Sequence, residues 1–307
     1  MSEQLPSYDE LPVRPGAPPG SSWGVWGDDD VLGTLNLQTP ERVRAAAASI
    51  RTGRWFALSL ELELPDPPFY GRRRFRHEVT GELGSGHDDI LHDWNTQTSA
   101  QWDGFRHFPH RRHGFYGGLD DERHGMHHWA ARGMAGRCVL LDLDRWRASV
   151  GRPLRQGESD PITVGDLDAC IADQGTPVRT GDVLLLRTGW LTWYRSLDAE
   201  ARRAHADAAA PHPGIAGADL PAFLWDLHIS ALAADNTTVE LNPAQKGWGF
   251  LHASALPLLG LPLGEMWDLD ALAEDCAADG TYDAFFTSAP IHVRRGVGSP
   301  PNAIAIR

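Results

Sequence analysis

Two short apolar runs, RCVLLDLDRW (residues 137–146) and GDVLLLRTGW (residues 181–190), decide the fold class of this sequence. Each run is bounded by glycine or polar residues, which is typical of a buried β-strand. The segment between them, ITVGDLDACIADQG (residues 162–175), has apolar residues at helical spacing and ends in glycine. A strand, a helix and a second strand in succession predict an α/β fold.

Other segments extend this organisation on both sides. Thr39 suits the N-cap of a helix over residues 39–53, and Pro40 suits its first turn. Further predicted elements are a strand over 55–62, a helix entering a strand over 222–236, a loop followed by a helix over 255–276 and a closing strand over 283–293. Residues 1–20 are rich in Pro and Gly and predict an extended arm, draped over the body or a partner, whereas residues 21–307 are expected to form a single domain.

The bulk composition narrows the class of function. The chain has 307 residues and a net charge of -13, which argues against nucleic acid as a partner because phosphate would be repelled. No apolar run is long enough for a membrane span. The three cysteines are odd in number and far apart, which favours a reducing cytoplasm. The basic run Arg72-Arg73-Arg74 is a local exception, either a solvated loop or an anion site.

The segment NTQTSAQWDGFRHFPH (residues 95–110) concentrates the residues suited to chemistry. If residues 97–103 are extended, alternate side chains share one face, and the oxygen-bearing side chains on that face are Gln97, Ser99, Gln101 and Asp103. His107 follows after a glycine, so the group is able to hold a divalent cation or orient a water. The alternative is a polar strand facing solvent. His110 and His113 are expected to be surface residues.

The segment QTSAQWDGFRH resembles the signature H-x-G-T-H-x-D-x-P-x-H of the cyclase family of metal-dependent hydrolases, which includes kynurenine formamidases and isatin hydrolases. Gln97 and Gln101 stand at the two histidines, Asp103 at the aspartate and His107 at the last histidine. Three further segments resemble a longer branch of this family with a TQxxTQWDG signature: WGVWGDDDVLGTLNLQTPERV, GDVLLLRTGW and GVGSPPNAIAI. The resemblance implies a mixed β-sheet with flanking helices, of the swivelling β/β/α type.

The family also has a late histidine and glutamate about a dozen residues apart. Two pairs in this chain match that spacing, His228 with Glu240 and His252 with Glu265. The second pair is preferred because its glutamate precedes WDLDALA, the expected context. The first pair then has structural explanations, a buried histidine and a loop carboxylate.

By this resemblance, Asp103, His252 and Glu265 keep one complete metal position, while Gln97 and Gln101 weaken the other. One Zn or Mn ion per chain is therefore expected rather than two. His107 is expected to act as general base and then as acid, since an imidazole titrates near neutral pH. The expected reaction is hydrolysis of an amide, formamide or cyclic amide or lactone bond in a small molecule.

The substrate pocket is expected to be aromatic, because the chain contains 12 tryptophans. The resemblance implies that an N-terminal tryptophan, Trp26 or Trp23, lies against the substrate ring, and the further candidates for substrate contact are Trp102 and Phe105. The resemblance further implies a homodimer or larger homo-oligomer, with neighbouring chains completing each other's sites. Two other functions remain open: a cyclase or dehydratase acting on a polyketide-like or aromatic metabolite, and a metal-free binding protein.

Overall fold

The computed structural model describes residues 5–82, 84–207 and 210–307. The helices are Pro40–Ala46 (α1), Met126–Arg132 (α2), Leu143–Ser149 (α3), Val164–Gln174 (α4), Trp190–Ser196 (α5), Ala199–Asp207 (α6), Leu220–Asp226 (α7), His252–Ser254 (α8) and Asp270–Asp279 (α9). The strands are Trp55–Ala57 (β1), Arg76–Glu82 (β2), Gly86–His92 (β3), Gln101–Asp103 (β4), Met134–Asp142 (β5), Pro161–Ile162 (β6), Val183–Arg187 (β7), Gly214–Ile215 (β8), Ala231–Ala234 (β9), Leu263–Glu265 (β10), Asp283–Ser288 (β11), Gly298–Ser299 (β12) and Ala303–Ile306 (β13).

The main sheet has nine strands in the order β1-β13-β11-β5-β7-β9-β10-β4-β12. The four strands β5, β7, β9 and β10 run parallel, and antiparallel pairs extend the sheet on both sides. Every residue of β7 is buried, and so is nearly all of β5. Burial on both faces explains the uninterrupted apolar runs in the sequence. The structure confirms the predicted class, a mixed α/β sheet with flanking helices.

Both strands end before the deciding runs end, and β5 begins before its run, at Met134. The first strand ends at Asp142, whose carboxylate accepts a hydrogen bond from the backbone N–H of Arg145 at 3.2 Å and so starts helix α3. The second strand ends at Arg187, and Gly189 turns the chain into α5 with a positive φ of 75°. The helix between them is confirmed as α4, which Thr163 caps through a capping box.

The outer elements differ more from the prediction. The helix that begins after the Thr39 cap ends at Ala46 and continues as one tighter turn to Ser49, short of the predicted end. The strand expected over 55–62 is limited to β1, and the closing strand stops at Ser288. The segment 222–236 is a helix and a strand as predicted, α7 and β9. The loop over 255–276 also contains strand β10, which the sequence prediction lacked.

The described part of the N-terminal arm lies against its own chain. The backbone N–H of Tyr8 donates to the carboxylate of Asp226 at 2.7 Å, and the indole N–H of Trp225 donates to the Pro6 carbonyl at 2.8 Å. The arm is therefore anchored on α7 of the same molecule. Among the described residues, no helix combines the length and apolar character needed to cross a membrane.

Candidate active site

Strand β4 presents two site residues on one face. Gln101 and Asp103 are both fully buried, and the strand alternation turns Trp102 to the opposite side. Antiparallel pairing with β10 places Glu265 directly opposite Gln101. This short pairing joins parts of the chain that are more than 160 residues apart, and it is the structural basis of the site.

The segment before β4 is not the extended strand that the sequence suggested. Residues 95–98 form a turn, in which the backbone N–H of Thr98 donates to the Asn95 carbonyl at 3.1 Å. Gln97 still reaches the site, but the Ser99 hydroxyl donates to the Glu61 carbonyl at 2.7 Å and leaves the cluster. Gly298 of β12 permits this close approach, because a Cβ atom there would lie 2.5 Å from Cγ of Gln97.

A carboxylate–imidazole cluster forms the centre of the site. Nε2 of His252, at the start of α8, lies 3.1 Å from Oε1 of Glu265 and 3.6 Å from Oδ2 of Asp103. His107 returns to the cluster through a turn in which its backbone N–H donates to the Gly104 carbonyl at 2.8 Å. The preferred late pair, His252 and Glu265, is thus placed together with Asp103 and His107.

This donor set fits a divalent cation. Ligand atoms of Asp103, His107 and His252 lie within 4.8 Å of one another. Oδ2 of Asp103 is buried and has no hydrogen-bond partner among the described residues, and an unpaired buried carboxylate oxygen is costly. Asp103, His107 and His252 are therefore the described residues whose ligand atoms lie close enough together to hold an ion.

Glu240 lies in a loop as expected, but its carboxylate contacts the cluster, whereas the sequence predicted only a structural role for it. Its Oε1 accepts a hydrogen bond from Nδ1 of His252 at 2.6 Å, and its Oε2 accepts one from the backbone N–H of Leu251. A carboxylate on Nδ1 leaves Nε2 free to bind a metal. His228 lies apart from this group, with Nε2 3.5 Å from the Pro6 carbonyl. The spacing in the sequence indicated both histidine–glutamate pairs. It did not indicate that Glu240 of the first pair would contact His252 of the second.

The two glutamines present their amide nitrogens to the cluster. Nε2 of Gln97 lies 2.5 Å from Oδ1 of Asp103 and 3.1 Å from Nδ1 of His107. Nε2 of Gln101 donates to Oδ1 of Asp103 at 3.0 Å and to Oε2 of Glu265 at 2.8 Å. A carboxylate only accepts hydrogen bonds, so the amide nitrogens face it and the amide oxygens face away. This orientation differs from the ligand role expected for both glutamines.

Arg72 also reaches the site, in contrast to its neighbours in the basic run. Its Nη1 donates to the backbone carbonyl of Gln97 and to Oε1 of Gln101, the latter at 3.3 Å. Arg73 is exposed, and Arg74 pairs with Asp66 at the surface. The basic run is therefore a solvated loop, and its Arg72 side chain points toward the cluster.

The electrostatics follow from burial and close opposite charges. Burial would raise the pKa of Asp103, but the neighbouring His107 and His252 lower it below its ordinary value. Burial and the Asp103 carboxylate raise the pKa of Glu265 to about 7. Burial would lower the pKa of His252, yet its three carboxylate neighbours raise it well above 6.5. Burial lowers the pKa of His107, which keeps its ring neutral near pH 7.

The four aromatic residues expected at the substrate are buried or half-buried in the protein. Trp102 is buried against Trp267 and donates its indole N–H to the Ser288 hydroxyl at 3.0 Å. Phe105 is buried in a different aromatic cluster. Trp23 is buried and donates to the Pro257 carbonyl at 2.8 Å, and Trp26 packs half-buried at the edge of Trp225. These rings stabilise the core around the site, because the strand alternation and the N-terminal segment direct them inward.

A cavity of about 360 Å³ is lined by Glu240, whereas Asp103, His107, His252 and Glu265 are not among its lining residues. Its described lining is largely apolar and includes Leu241, Trp248, Phe250 and Leu258, with none of the four predicted aromatic residues. The Phe250 ring stacks on the His252 ring with centroids 5.1 Å apart. His110 also lines the cavity, while His113 is exposed.

The fold and cluster define an α/β protein with a buried carboxylate–histidine centre, and comparisons with known proteins identify its family. The sequence profile of the Cyclase family matches residues 41–241. A solved structure described as a novel cyclase is 31% identical, with a TM-score of 0.82 over 94% of this chain and 99% of that chain. The chain belongs to the Cyclase family.

Isatin hydrolases share the fold at lower identity. The enzyme isatin hydrolase A from Labrenzia aggregata, bound to benzyl benzoate, is 18% identical, with a TM-score of 0.57 over 86% of this chain and 98% of that one. Isatin hydrolase A from Ralstonia solanacearum is 17% identical, with a TM-score of 0.58 over 88% and 99%. Among curated proteins, no sequence match to this chain is found.

Proposed function

We propose that this chain is a divalent-metal-dependent hydrolase that cleaves an amide, formamide, cyclic amide or lactone bond in a small, apolar or aromatic molecule. The observation that carries the proposal is that Nε2 of His252 lies 3.6 Å from Oδ2 of Asp103 and 3.1 Å from Oε1 of Glu265. Oδ2 of Asp103 is buried and has no hydrogen-bond partner among the described residues. A cation satisfies that oxygen and separates the negative charges.

The proposed ion is Zn or Mn, about one per chain. When bound, it supplies Lewis acidity, which lowers the pKa of a bound water and polarises a carbonyl group. Asp103, His252 and Glu265 hold it, and Glu240 keeps His252 in the tautomer that leaves Nε2 free. The glutamines donate hydrogen bonds to Asp103 and Glu265, so they orient the ligand carboxylates.

His107 is the proposed acid–base residue. Its ring is neutral near pH 7, and its Nδ1 faces the cluster, where it accepts from Gln97. A neutral imidazole has one nitrogen lone pair, and this ring is able to take a proton there from the attacking water and return it to the leaving nitrogen or oxygen. The water oxygen forms the new bond to the carbonyl carbon as the C–N or C–O bond breaks.

The apolar cavity beside Glu240 supports a small apolar or aromatic substrate. Pockets of this size suit small molecules, and a few polar groups at one end fix orientation. Here the carboxylate of Glu240, which contacts His252, is a polar group of the lining, and the apolar lining includes Trp248 and Phe250.

The test is a hydrolysis screen with a formylated aromatic amine, isatin and an aromatic lactone. Each is incubated with metal-free protein, with and without Zn²⁺ or Mn²⁺, and proton release is followed. We expect metal-dependent acid release that Asp103→Ala abolishes and that Asp88→Ala, an exposed control, retains. Ring closure or loss of water without acid release would favour a cyclase or dehydratase. Ligand binding without turnover would favour a binding protein.

A further inference from the structure

Arg72 is the one residue of the basic run that contacts the cluster, and its environment indicates a role in it. The guanidinium is half-buried, and its Nη1 donates to the backbone carbonyl of Gln97 and to Oε1 of Gln101. The Tyr70 ring lies 5.4 Å from the guanidinium carbon, a cation–π distance. Hydrogen bonds on one side and the Tyr70 ring on the other therefore fix the position of the Arg72 guanidinium.

Arg72 also decides how Gln101 is oriented. A guanidinium only donates hydrogen bonds, so the Gln101 atom that faces it must be the amide oxygen. The amide nitrogen then faces Asp103 and Glu265, at 3.0 and 2.8 Å. Gln101 thus links the Arg72 guanidinium to the buried carboxylates of Asp103 and Glu265 through charge-assisted hydrogen bonds.

Part of the guanidinium remains available to a ligand. Nη1 makes both of the hydrogen bonds, while Nε and Nη2 make none to the residues that the structure describes. The Arg72 side chain as a whole is half-buried, so part of it remains accessible to a small molecule. Arginine N–H groups in such a position polarise a carbonyl oxygen and stabilise the negative charge that develops on it.

We propose that Arg72 is a fixed cation of this active site: through Gln101 it offsets the charge of Asp103 and Glu265 in place of a second metal ion, and its free N–H groups bind the substrate's carbonyl oxygen. This inference rests on the proposed metal-dependent hydrolase. This role of Arg72 explains how the negative charge of the buried carboxylates is offset although glutamines stand at two expected metal-ligand positions. It also assigns carbonyl polarisation to a side chain as well as to the metal.

The sign of the effect on metal affinity separates this role from a structural one. A fixed positive charge near the metal position repels a divalent cation, so its removal should strengthen metal binding. If Arg72 served only to support the loop, its removal would loosen the cluster and weaken metal binding. The two roles therefore predict opposite changes.

The experiment is titration of the metal-free full chain with Mn²⁺, followed by electron paramagnetic resonance. We expect Arg72→Gln to bind Mn²⁺ about tenfold more tightly than wild type. Arg72→Lys keeps the charge and should bind like wild type, as should Arg73→Gln, the exposed neighbour. At saturating Mn²⁺, kcat of Arg72→Gln on a hydrolysed substrate should fall by roughly 10²-fold.

Two results would overturn the proposal in distinguishable ways. Weaker or unchanged Mn²⁺ binding by Arg72→Gln, beside a wild type that binds one ion, would refute the role of Arg72 and leave the hydrolase proposal intact. A wild type that binds no Mn²⁺ or Zn²⁺ would refute the metal-dependent hydrolase and the role of Arg72 with it.

Discussion

The carboxylate of Glu240 accepts a hydrogen bond from Nδ1 of His252 at 2.6 Å, and both side chains are buried. The same carboxylate accepts the backbone N–H of Leu251, so it holds the start of α8 and the ring together. This relationship determines which ring nitrogen of His252 faces Asp103 and Glu265.

Glu240→Gln hardly changes the size of the side chain, yet it should strongly weaken metal binding. With the amide oxygen on the Leu251 N–H, the amide nitrogen donates to Nδ1 and forces the proton onto Nε2, where no metal can then bind. We expect a 10- to 100-fold loss of Mn²⁺ affinity in calorimetry. Glu158→Gln, an exposed control, should bind like wild type; equal affinity in both variants would exclude the orienting role.

Gln101→Leu should destabilise the metal-free protein. The substitution removes the donor that bonds Oε2 of Glu265 and one of the donors to Asp103, and both carboxylates are buried. An unsatisfied buried acceptor costs about 1–3 kcal/mol, so the free energy of unfolding in urea with chelator should fall by that amount. Gln245→Leu, at an exposed glutamine, is the control. An unchanged unfolding free energy would show that these bonds do not form.

Asp235 should make stability depend on pH. Burial raises the pKa of this carboxyl to about 7, although its Oδ1 accepts two hydrogen bonds from Thr188. Because its ordinary pKa is 3.8, the folded state holds a proton that the unfolded state has lost between these values. Its contribution is thus fully present below about pH 4 and is lost as the pH rises to 7.

The comparison with Asp235→Asn isolates this contribution. Urea unfolding of both proteins at pH 5, 6, 7 and 8 should show wild type losing stability relative to the variant up to about pH 7 and no further change above it. A constant difference across this range would show that the carboxyl titrates near its ordinary value.

Ala253→Phe should narrow the apolar cavity. Ala253 lines the cavity beside Trp248 and Phe250, so a ring at this position occupies substrate volume. We expect KM for an aromatic substrate to rise about tenfold or more, while Mn²⁺ affinity stays unchanged. Ala278→Phe, on the exposed face of α9, should leave both unchanged. An unaltered KM in Ala253→Phe would place the substrate elsewhere.

The central sheet was predictable because its signal is local. The apolar runs of β5 and β7 and the capped helix between them are each specified within a dozen residues. The signature also predicted that Asp103 and His107 would meet. These features depend on side chains that are close in the sequence.

The remaining site residues depend on long-range pairing. Strand β10 has three residues, Leu-Gly-Glu, which carry no periodic pattern, yet it brings Glu265 to Gln101. Glu240 and Arg72 reach the cluster from loops, where no residue spacing fixes a position. The positions of the aromatic side chains are not predictable in this way either, because the number of tryptophans does not show which side of the sheet each one faces.

Metal content tests the central claim most directly. Protein purified without chelators is measured by elemental analysis beside Asp103→Ala, His252→Ala and the exposed control Asp88→Ala. The proposed site predicts about one Zn or Mn ion per chain in wild type and the control, and loss of that ion in the other two variants. A wild type that contains no metal and takes up none on dialysis against Zn²⁺ or Mn²⁺ would contradict the proposed site.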